Sequence, residues 1–223
     1  MEESCELLHE DGFEAAWDGH GLLNPRDGEV DPARLVGALA ARAPAGAIRE
    51  GVNVTGLSGT TVHAGDSSCA AGAVILATNG FTSALLPSLD IQPTRAQMLA
   101  TSPVARRVSE RPTYSHFGYR YWRQAVSGEV LVGGWRDTSK ETEVGLDSEP
   151  TPAIQLHLDA KAEELTQGAE VTHRWAGIMG FTKSGMPMVG PVDGMNGVYV
   201  CAGYNGHGMG FAFMSAQNVV EML

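Results

Sequence analysis

The tightest constraint on this chain lies near its end. Residues 197–210 read Gly-Val-Tyr-Val-Cys-Ala-Gly-Tyr-Asn-Gly-His-Gly-Met-Gly, and residues 211–223 follow without glycine or proline. Val198–Ala202 is a short apolar run rich in β-formers, the pattern of a buried parallel strand. Gly203, Gly206, Gly208 and Gly210 come next, and the mostly apolar residues from 211 onward read as a helix. Strand, glycine turn and helix in that order allow positive φ and close approach of a ligand to the backbone. The helix start also offers unpaired N–H groups and a positive dipole end. A plain tight turn packed by glycines has the same spacing, so spacing alone leaves both readings open.

A chain of 223 residues is long enough for one large or two small domains with a substantial core. With 43% hydrophobic and 18% charged residues it is globular rather than disordered. A net charge of -11 argues against non-specific binding to nucleic acid or to an anionic membrane. Cys5, Cys69 and Cys201 are an odd, widely spaced set with neither a disulfide framework nor a CxxC metal pair, which points to a reducing compartment. No apolar run is long enough to span a bilayer and the first ten residues are acidic, so the expectation is a cytoplasmic protein with no membrane span.

Along the chain, Asp31 and Pro32 mark a helix start as N-cap and first helical residue, with Leu35, Val36, Leu39 and Ala40 as its apolar stripe. Residues 52–57 and 60–64 read as a hairpin about Ser58-Gly59, and residues 66–68 as another turn. Residues 73–77 are a buried-strand run, followed by Thr78-Asn79-Gly80 and a short helix, which makes a second strand–turn–helix unit. From about residue 93 the pattern turns antiparallel. Residues 95–101 read as a strand, and 119–124 with 129–133 as a hairpin whose first arm is aromatic. Residues 137–150 read as a polar loop, and Thr151-Pro152 starts a helix reaching about residue 166. Its apolar face holds Ile154, Leu156, Leu158, Ala162 and Leu165. Residues 175–191, rich in Gly, Met and Pro, read as a long loop.

In this order, several stretches resemble the D-amino-acid-oxidase-like family of flavoproteins, and within it the gamma-glutamylputrescine oxidoreductase group. They are Asp31-Pro32-Ala33-Arg34-Leu35-Val36, Val74-Ile75-Leu76-Ala77-Thr78-Asn79-Gly80, Gln97-Met98-Leu99-Ala100-Thr101, Tyr121-Trp122-Arg123-Gln124 with Val132-Gly133-Gly134, Arg174-Trp175-Ala176-Gly177-Ile178-Met179-Gly180-Phe181-Thr182, Pro187-Met188-Val189-Gly190, and the terminal glycine turn. The resemblance implies an α/β (α+β) fold: a doubly wound FAD-binding domain with an antiparallel-sheet substrate domain inserted. The expected divisions are 1–91 and 173–223 for the FAD-binding part and 92–172 for the substrate part. Family members open with a strand, GxGxxG and a helix that hold the FAD pyrophosphate. This sequence has no such motif. The FAD domain is therefore expected to be incomplete at its N-terminus, as in a fragment, a reading frame with a late start, or a reduced relative.

The resemblance also implies roles. The backbone of Asn205, Gly206, His207, Gly208 and Met209 would line the flavin's pyrimidine edge, Val54 would meet the adenine, and Thr78, Asn79 and Gly80 would pass the cofactor. Tyr119, Tyr121 and Trp122 would lie on the substrate sheet, with the two tyrosines on one face and the tryptophan on the other. Met179 falls where amino-acid oxidases of the family often carry a carboxylate-gripping arginine, which suits an amine lacking that group. Val132 falls where some family oxidases carry an oxygen-activating lysine. No residue is assigned as catalytic. His9, His20, His63, His116, His157 and His173 are scattered and read as structural, with no metal site. The function implied is FAD-dependent oxidation of the C–N bond of a small amine, gamma-glutamylputrescine-like. Two alternatives stand beside it: an amino-acid or N-methyl-amine oxidoreductase of the same fold, and a non-catalytic fragment that does not bind FAD alone.

Overall fold

In a computed structural model, residues 2–17, 19 and 21–223 are described, and the chain divides into a unit over residues 1–49 and a second over residues 50–223. His20 lies outside the described residues.

The first unit holds α1 (Glu2–Glu10), a two-residue pair β1 (Ala16–Trp17) and β2 (Leu22–Leu23), and α2 (Pro32–Ala40). The Asp31 side chain caps α2 by accepting from the Arg34 N–H at 3.1 Å, with Pro32 in the first turn. The helix is where the capping residues put it. Its stripe is not buried, however: Val36 is 64% and Leu39 61% exposed.

The second unit begins with the antiparallel meander β3 (Gly56–Ser58), β4 (Thr61–Ala64) and β5 (Ser67–Ala70). Ser67 and Ser68, expected in a turn, pair with Ala64 and His63, and the turn is Gly65-Asp66. Next come β6 (Val74–Leu76), a 3-10 turn (Asn79–Phe81) and the single-turn α3 (Thr82–Leu85). There follow β7 (Ile91–Thr101), β8 (Thr113–Ser115), β9 (Arg120–Gln124), β10 (Val130–Gly134), a second 3-10 turn (Arg136–Thr138) and α4 (Pro152–Thr166). The chain closes with β11 (Val171–Thr182), β12 (Met188–Pro191), β13 (Val198–Ala202) and α5 (Gly208–Glu221).

Two sheets carry this unit. One is fully antiparallel, in the order β11-β7-β10-β9-β8. The other is mixed, in the order β12-β13-β6, with β13 parallel to β6 and antiparallel to β12. The parallel pair is the one the two strand–turn–helix units implied. Residues 175–191 are a correction. They hold most of β11 and all of β12, because β11 pairs with β7 continuously from Trp175↔Met98 to Thr182↔Ile91. Of the glycines there, Gly180 serves close packing, while Gly185, at φ 73°, turns the chain between β11 and β12. A Cβ on Gly180 would lie 2.8 Å from Asn79 Oδ1 and 2.9 Å from Ile91 Cγ2.

Helix α4 covers one face of the antiparallel sheet. Ile154, Leu158 and Ala162 pack with Leu99, Val130, Val132 and Trp135, and Trp122 leans on the same cluster. Leu156, expected on that face, is 70% exposed. A second core of Leu76, Ile91, Val192, Val198, Val200 and Ala202 lies about the mixed sheet.

A charged network lies on the α4 side of β7. Arg95 grips Glu143 with two bonds, Nε to Oε2 at 2.9 Å and Nη2 to Oε1 at 3.0 Å, and also donates to Asp147 and to the carbonyls of Thr142 and Glu149. Gln97 donates to Glu143 Oε2 at 2.8 Å and Thr151 Oγ1 at 2.7 Å, and its carbonyl accepts from Thr151 N and Gln155 Nε2. Arg95 and Glu143 are 7% and 1% exposed, so the pair is buried and its polar atoms are matched. Burial pushes the Glu143 carboxyl up, but the bonds from Arg95 and Gln97 outweigh it and hold the group below the usual carboxylate range.

Glu143→Ala leaves the Arg95 guanidinium buried without its main partner. It is expected to cost about 3–5 kcal/mol in chemical denaturation at neutral pH. Because the folded pKa is depressed, the pair's contribution is present above about pH 4.3, the unfolded value, and is lost as pH falls through the lower folded value. The gap between the wild type and Glu143→Ala should therefore be constant at and above neutral pH and narrow only in acid. A gap that is absent, or constant to strongly acid pH, contradicts this account.

Candidate functional site

Three segments meet beside the open face of the antiparallel sheet: the turn after β6, the end of β11, and the turn between β13 and α5. Two asparagines stitch them. Asn79, at φ 43°, turns its Oδ1 to accept from the backbone N–H groups of Gly203 (3.1 Å) and Tyr204 (3.4 Å). Asn205, at φ 54°, uses its Oδ1 to accept from Thr182 N at 2.9 Å and its Nδ2 to donate to Gly203 O at 2.8 Å. Its own N–H donates to Gly180 O at 2.9 Å. Asparagine tolerates left-handed backbone better than most residues and can bond locally while holding it. Gly80 belongs to the same seam, since a Cβ there would fall 2.7 Å from Ile178 Cγ2 and 2.8 Å from Met179 O.

The turn then enters α5. His207 is the N-cap but makes no side-chain cap, and its Nδ1 instead bonds Asn205 O at 3.0 Å. The backbone N–H groups of Gly206, Gly208 and Met209 find no acceptor among the described residues. Three donors at and just before a helix start thus stand unspent, the first of them beside Met179, whose Sδ would lie 3.7 Å from a Cβ on Gly206.

Register fixes which side chains share the open face. Met98 pairs with Gly133 and Trp175, Gly133 with Tyr121, and Thr94 with Met179. Tyr121 packs over Gly133 and Met98, and its ring centroid is 6.0 Å from that of Tyr114. Burial, and to a smaller degree Tyr114, push the Tyr121 hydroxyl up to about 12, so near neutral pH it is a proton donor and not a base. Trp175, 38% exposed, lies on the same side. At one margin is a cavity of about 460 Å³ lined in part by Gln92, Thr94, Arg136, Lys140 and Phe181.

The structure thus brings together Thr78, Asn79, Gly80, Met179, Asn205, Gly206, His207, Gly208 and Met209, and sets Tyr121 on the adjoining face. Tyr119 lies just before β9, where its N–H closes a turn onto His116 O and its ring lies under the Arg136 guanidinium at 4.3 Å. Trp122 is on the α4 side, with Lys161 Nζ 4.2 Å from its ring centroid. Val132 is fully buried on that side too. Val54 sits in the extended run before β3, with no bond to the converging segments. The sequence reading missed Arg136. Its signal was an arginine directly after Gly133-Gly134-Trp135, at the end of a strand already identified. Among the described residues, no cluster of His, Cys, Asp and Glu could hold a metal, and no helix is long and apolar enough to cross a membrane.

Asn79→Ala removes the acceptor for two backbone N–H groups and puts alanine at positive φ. A loss of about 1–3 kcal/mol is expected, with faster hydrogen exchange at Gly203 and Tyr204. Asn79→Asp keeps the acceptor and should cost less than about 1 kcal/mol. Equal effects of the two substitutions would contradict the stitching role.

The chain is similar to known proteins. Residues 2–222 match the family described as FAD dependent oxidoreductase (DAO). A glycine oxidase of Pseudomonas putida is 29% identical over 224 aligned positions, covering 95% of this chain and 59% of its own length. A probable oxidoreductase, OrdL, of Rhizobium meliloti is 27% identical over 205 positions, covering 85% of this chain and 46% of its own. The chain therefore spans about half the length of the curated relatives it matches. Among solved structures, the L-proline dehydrogenase of P. horikoshii superposes with a TM-score of 0.69 at 23% identity over 99% of this chain and 61% of its own. The glycine oxidase of Geobacillus kaustophilus gives 0.64 at 18% identity over 77% and 47%. With the match running almost from end to end, and the same fold in these oxidoreductases, the chain belongs to the FAD dependent oxidoreductase (DAO) family.

Proposed function

We propose that this chain supplies the ring-facing and substrate-facing parts of an FAD-dependent oxidoreductase that oxidises the C–N bond of a small amine, with gamma-glutamylputrescine as the type of substrate. The observation that carries the reading is the set of unspent N–H groups at Gly206, Gly208 and Met209, held by Asn79 and Asn205 beside an apolar, aromatic sheet face. We assign 92–172 to the substrate part, and 1–91 with 173–223 to the flavin part.

FAD, when bound, would supply the two-electron acceptor for the hydride on the carbon next to the amine nitrogen, and the imine left behind would hydrolyse to an aldehyde with release of ammonia from a primary amine or of an amine from a secondary one. The chain's residues prepare this. The N–H groups at the start of α5 favour negative charge on the ring edge they face. Met98, Trp175 and Met179 give the open face apolar walls, and burial there favours the neutral amine that can lose hydride. Tyr121, protonated at neutral pH, can donate a hydrogen bond and leaves the amine's lone pair free. Trp122 and Val132 lie on the α4 side, away from this face, and Val54 is assigned to the adenine end of the cofactor. Cys5, Cys69 and Cys201 are all free thiols, in accord with action in the cytoplasm.

A second reading, oxidation of a short amino acid or an N-methyl amine, is favoured by the glycine oxidases among the relatives. Turnover of gamma-glutamylated putrescine against glycine and sarcosine separates the two. The first reading expects a kcat/KM preference for the polyamine derivative, and the reverse preference overturns it.

The cofactor is tested first. The purified chain, incubated with excess FAD and desalted, should keep the visible absorbance of oxidised flavin, and a colourless product overturns the proposal. Gly208→Pro then reads the α5 donors. Proline is tolerated at the first helical position, so the helix should stay while one N–H is lost. The two-electron potential of the bound flavin is expected to fall by about 30–60 mV, equivalent to one hydrogen bond of about 1.4–3 kcal/mol to a charged group. An unchanged potential would mean that this N–H does not face the ring.

A further inference from the structure

Arg136 is a half-buried cation of the open face, and its surroundings are unlike those of Arg95, Arg120 and Arg174. Arg95 has Glu143 and Asp147, Arg120 lies 3.7 Å from Asp137, and Arg174 lies 2.7 Å from Asp159. The Arg136 guanidinium has no carboxylate partner and no hydrogen bond among the described residues; only its backbone carbonyl is bonded, accepting from Ser139 N at 3.2 Å. Two aromatic rings hold it instead. Its guanidinium carbon is 4.3 Å from the Tyr119 ring centroid and 4.6 Å from that of Phe181. Stacking restrains the planar group while leaving its in-plane N–H donors free, the arrangement that matches a carboxylate with two parallel bonds.

The backbone is built to deliver it. A Cβ on Gly134 would collide with the Tyr119 carbonyl, and that carbonyl accepts from Trp135 N at 2.8 Å. Trp135 takes φ 62°, a costly conformation for a bulky residue, and sends its indole into the α4 core stacked on His157. Arg136 then emerges over Tyr119 and Phe181. The segment beyond it is fixed from behind by Glu143 on Arg95 and by the bridge between Val144 and Thr94. The donors are thus ordered before any ligand arrives.

The cavity about Arg136 holds about 460 Å³ and is lined also by Gln92, Thr94, Lys140, Glu141 and Phe181. Arg136 and Lys140 against Glu141 leave one net positive charge. Phe181 is two residues along β11 from Met179 and shares its face. Two strand residues span about 7 Å, so the cation is set back from Met179 by several bond lengths. We infer that Arg136 with Lys140 forms an anion subsite for a carboxylate carried remote from the nitrogen that is oxidised. This deepens the amine-oxidoreductase reading and rests on it for the identity of the oxidised group. The substrate class is then an amine whose far end bears a carboxylate.

The test titrates the whole chain, as purified, with glutarate by calorimetry at low ionic strength. The wild type should bind, with affinity falling as salt is added. Arg136→Met, which keeps an apolar stem between the two rings, should bind at least about tenfold more weakly. Arg136→Lys should fall between them, because it keeps the charge but not the fork. Absence of binding to the wild type, or equal binding by Arg136→Met, overturns the inference. If Arg136→Met fails to fold, Arg136→Lys decides: wild-type affinity in that variant also overturns the inference. The readout does not depend on flavin. A chain that binds glutarate through Arg136 but stays colourless with FAD sinks the proposed function and leaves the subsite, while a coloured chain with Arg136-independent binding does the reverse.

Discussion

The ion pair between Arg95 and Glu143 is the constraint on which the site side of this molecule depends. Two charges have been taken out of water, and such a pair is tolerated only when nearly every remaining donor and acceptor is matched. Here the matching groups come from Gln97, Thr142, Asp147, Glu149 and Thr151, so satisfying the pair fixes residues 142–151 as a body. Strand β7 does two jobs through its alternation. Arg95, Gln97 and Leu99 face α4 and its loop, while Thr94, Ala96 and Met98 face the open side. What locks the loop on one face therefore sets the position of Arg136 and Lys140 on the other.

The seam between the two sheets rests on a different principle. Backbone passes so close to backbone at Gly80 and Gly180 that no side chain fits, and the turns between need left-handed residues. Asn79 and Asn205 supply the conformation and the hydrogen bonds together. The N–H groups they satisfy are those of Thr182, Gly203 and Tyr204. Those at Gly206, Gly208 and Met209 lie one step beyond their reach. Rigid neighbours with unspent donors are what a preorganised electrostatic site requires, because no reorganisation is needed when charge develops.

Elements governed by local chemistry were legible in the sequence. Asp31-Pro32 and Thr151-Pro152 announce α2 and α4, and the helix at Pro152–Thr166 ends where it was expected. The hairpin of β9 and β10 and the parallel strand β13 follow from alternation and from a β-branched run. Strand β11 was not legible, because Gly177 and Gly180 read as loop punctuation, whereas Gly180 is required by the approach of Asn79 from another segment. The site shows the same division. The turn at 205–209 and the pair Asn79-Gly80 were visible as glycine-rich punctuation, but their meeting with Met179 depends on sheet register. Arg136 was hidden because nothing in a polar stretch tells which arginine will lack an acid, and the acids that satisfy Arg95 and Arg174 are 48 and 15 residues away in sequence.

The net charge of -11 repels an anion at long range. Screening limits that repulsion. At physiological ionic strength a charge is felt over about 8 Å, so most of the acidic surface is invisible from within the cavity. Inside it, Arg136 lies between two rings that exclude water from its faces, and a carboxylate meets it at lower effective dielectric than bulk solvent provides. The long-range field slows the approach of an anion while the short-range fork holds it once it has arrived. A zwitterionic substrate, amine at one end and carboxylate at the other, escapes the first effect, because its charges cancel at a distance, and retains the second. On the proposed function, the acidity of the chain and the cation on its open face are thus best matched by a ligand of mixed charge: a simple anion is held by the fork but approaches more slowly.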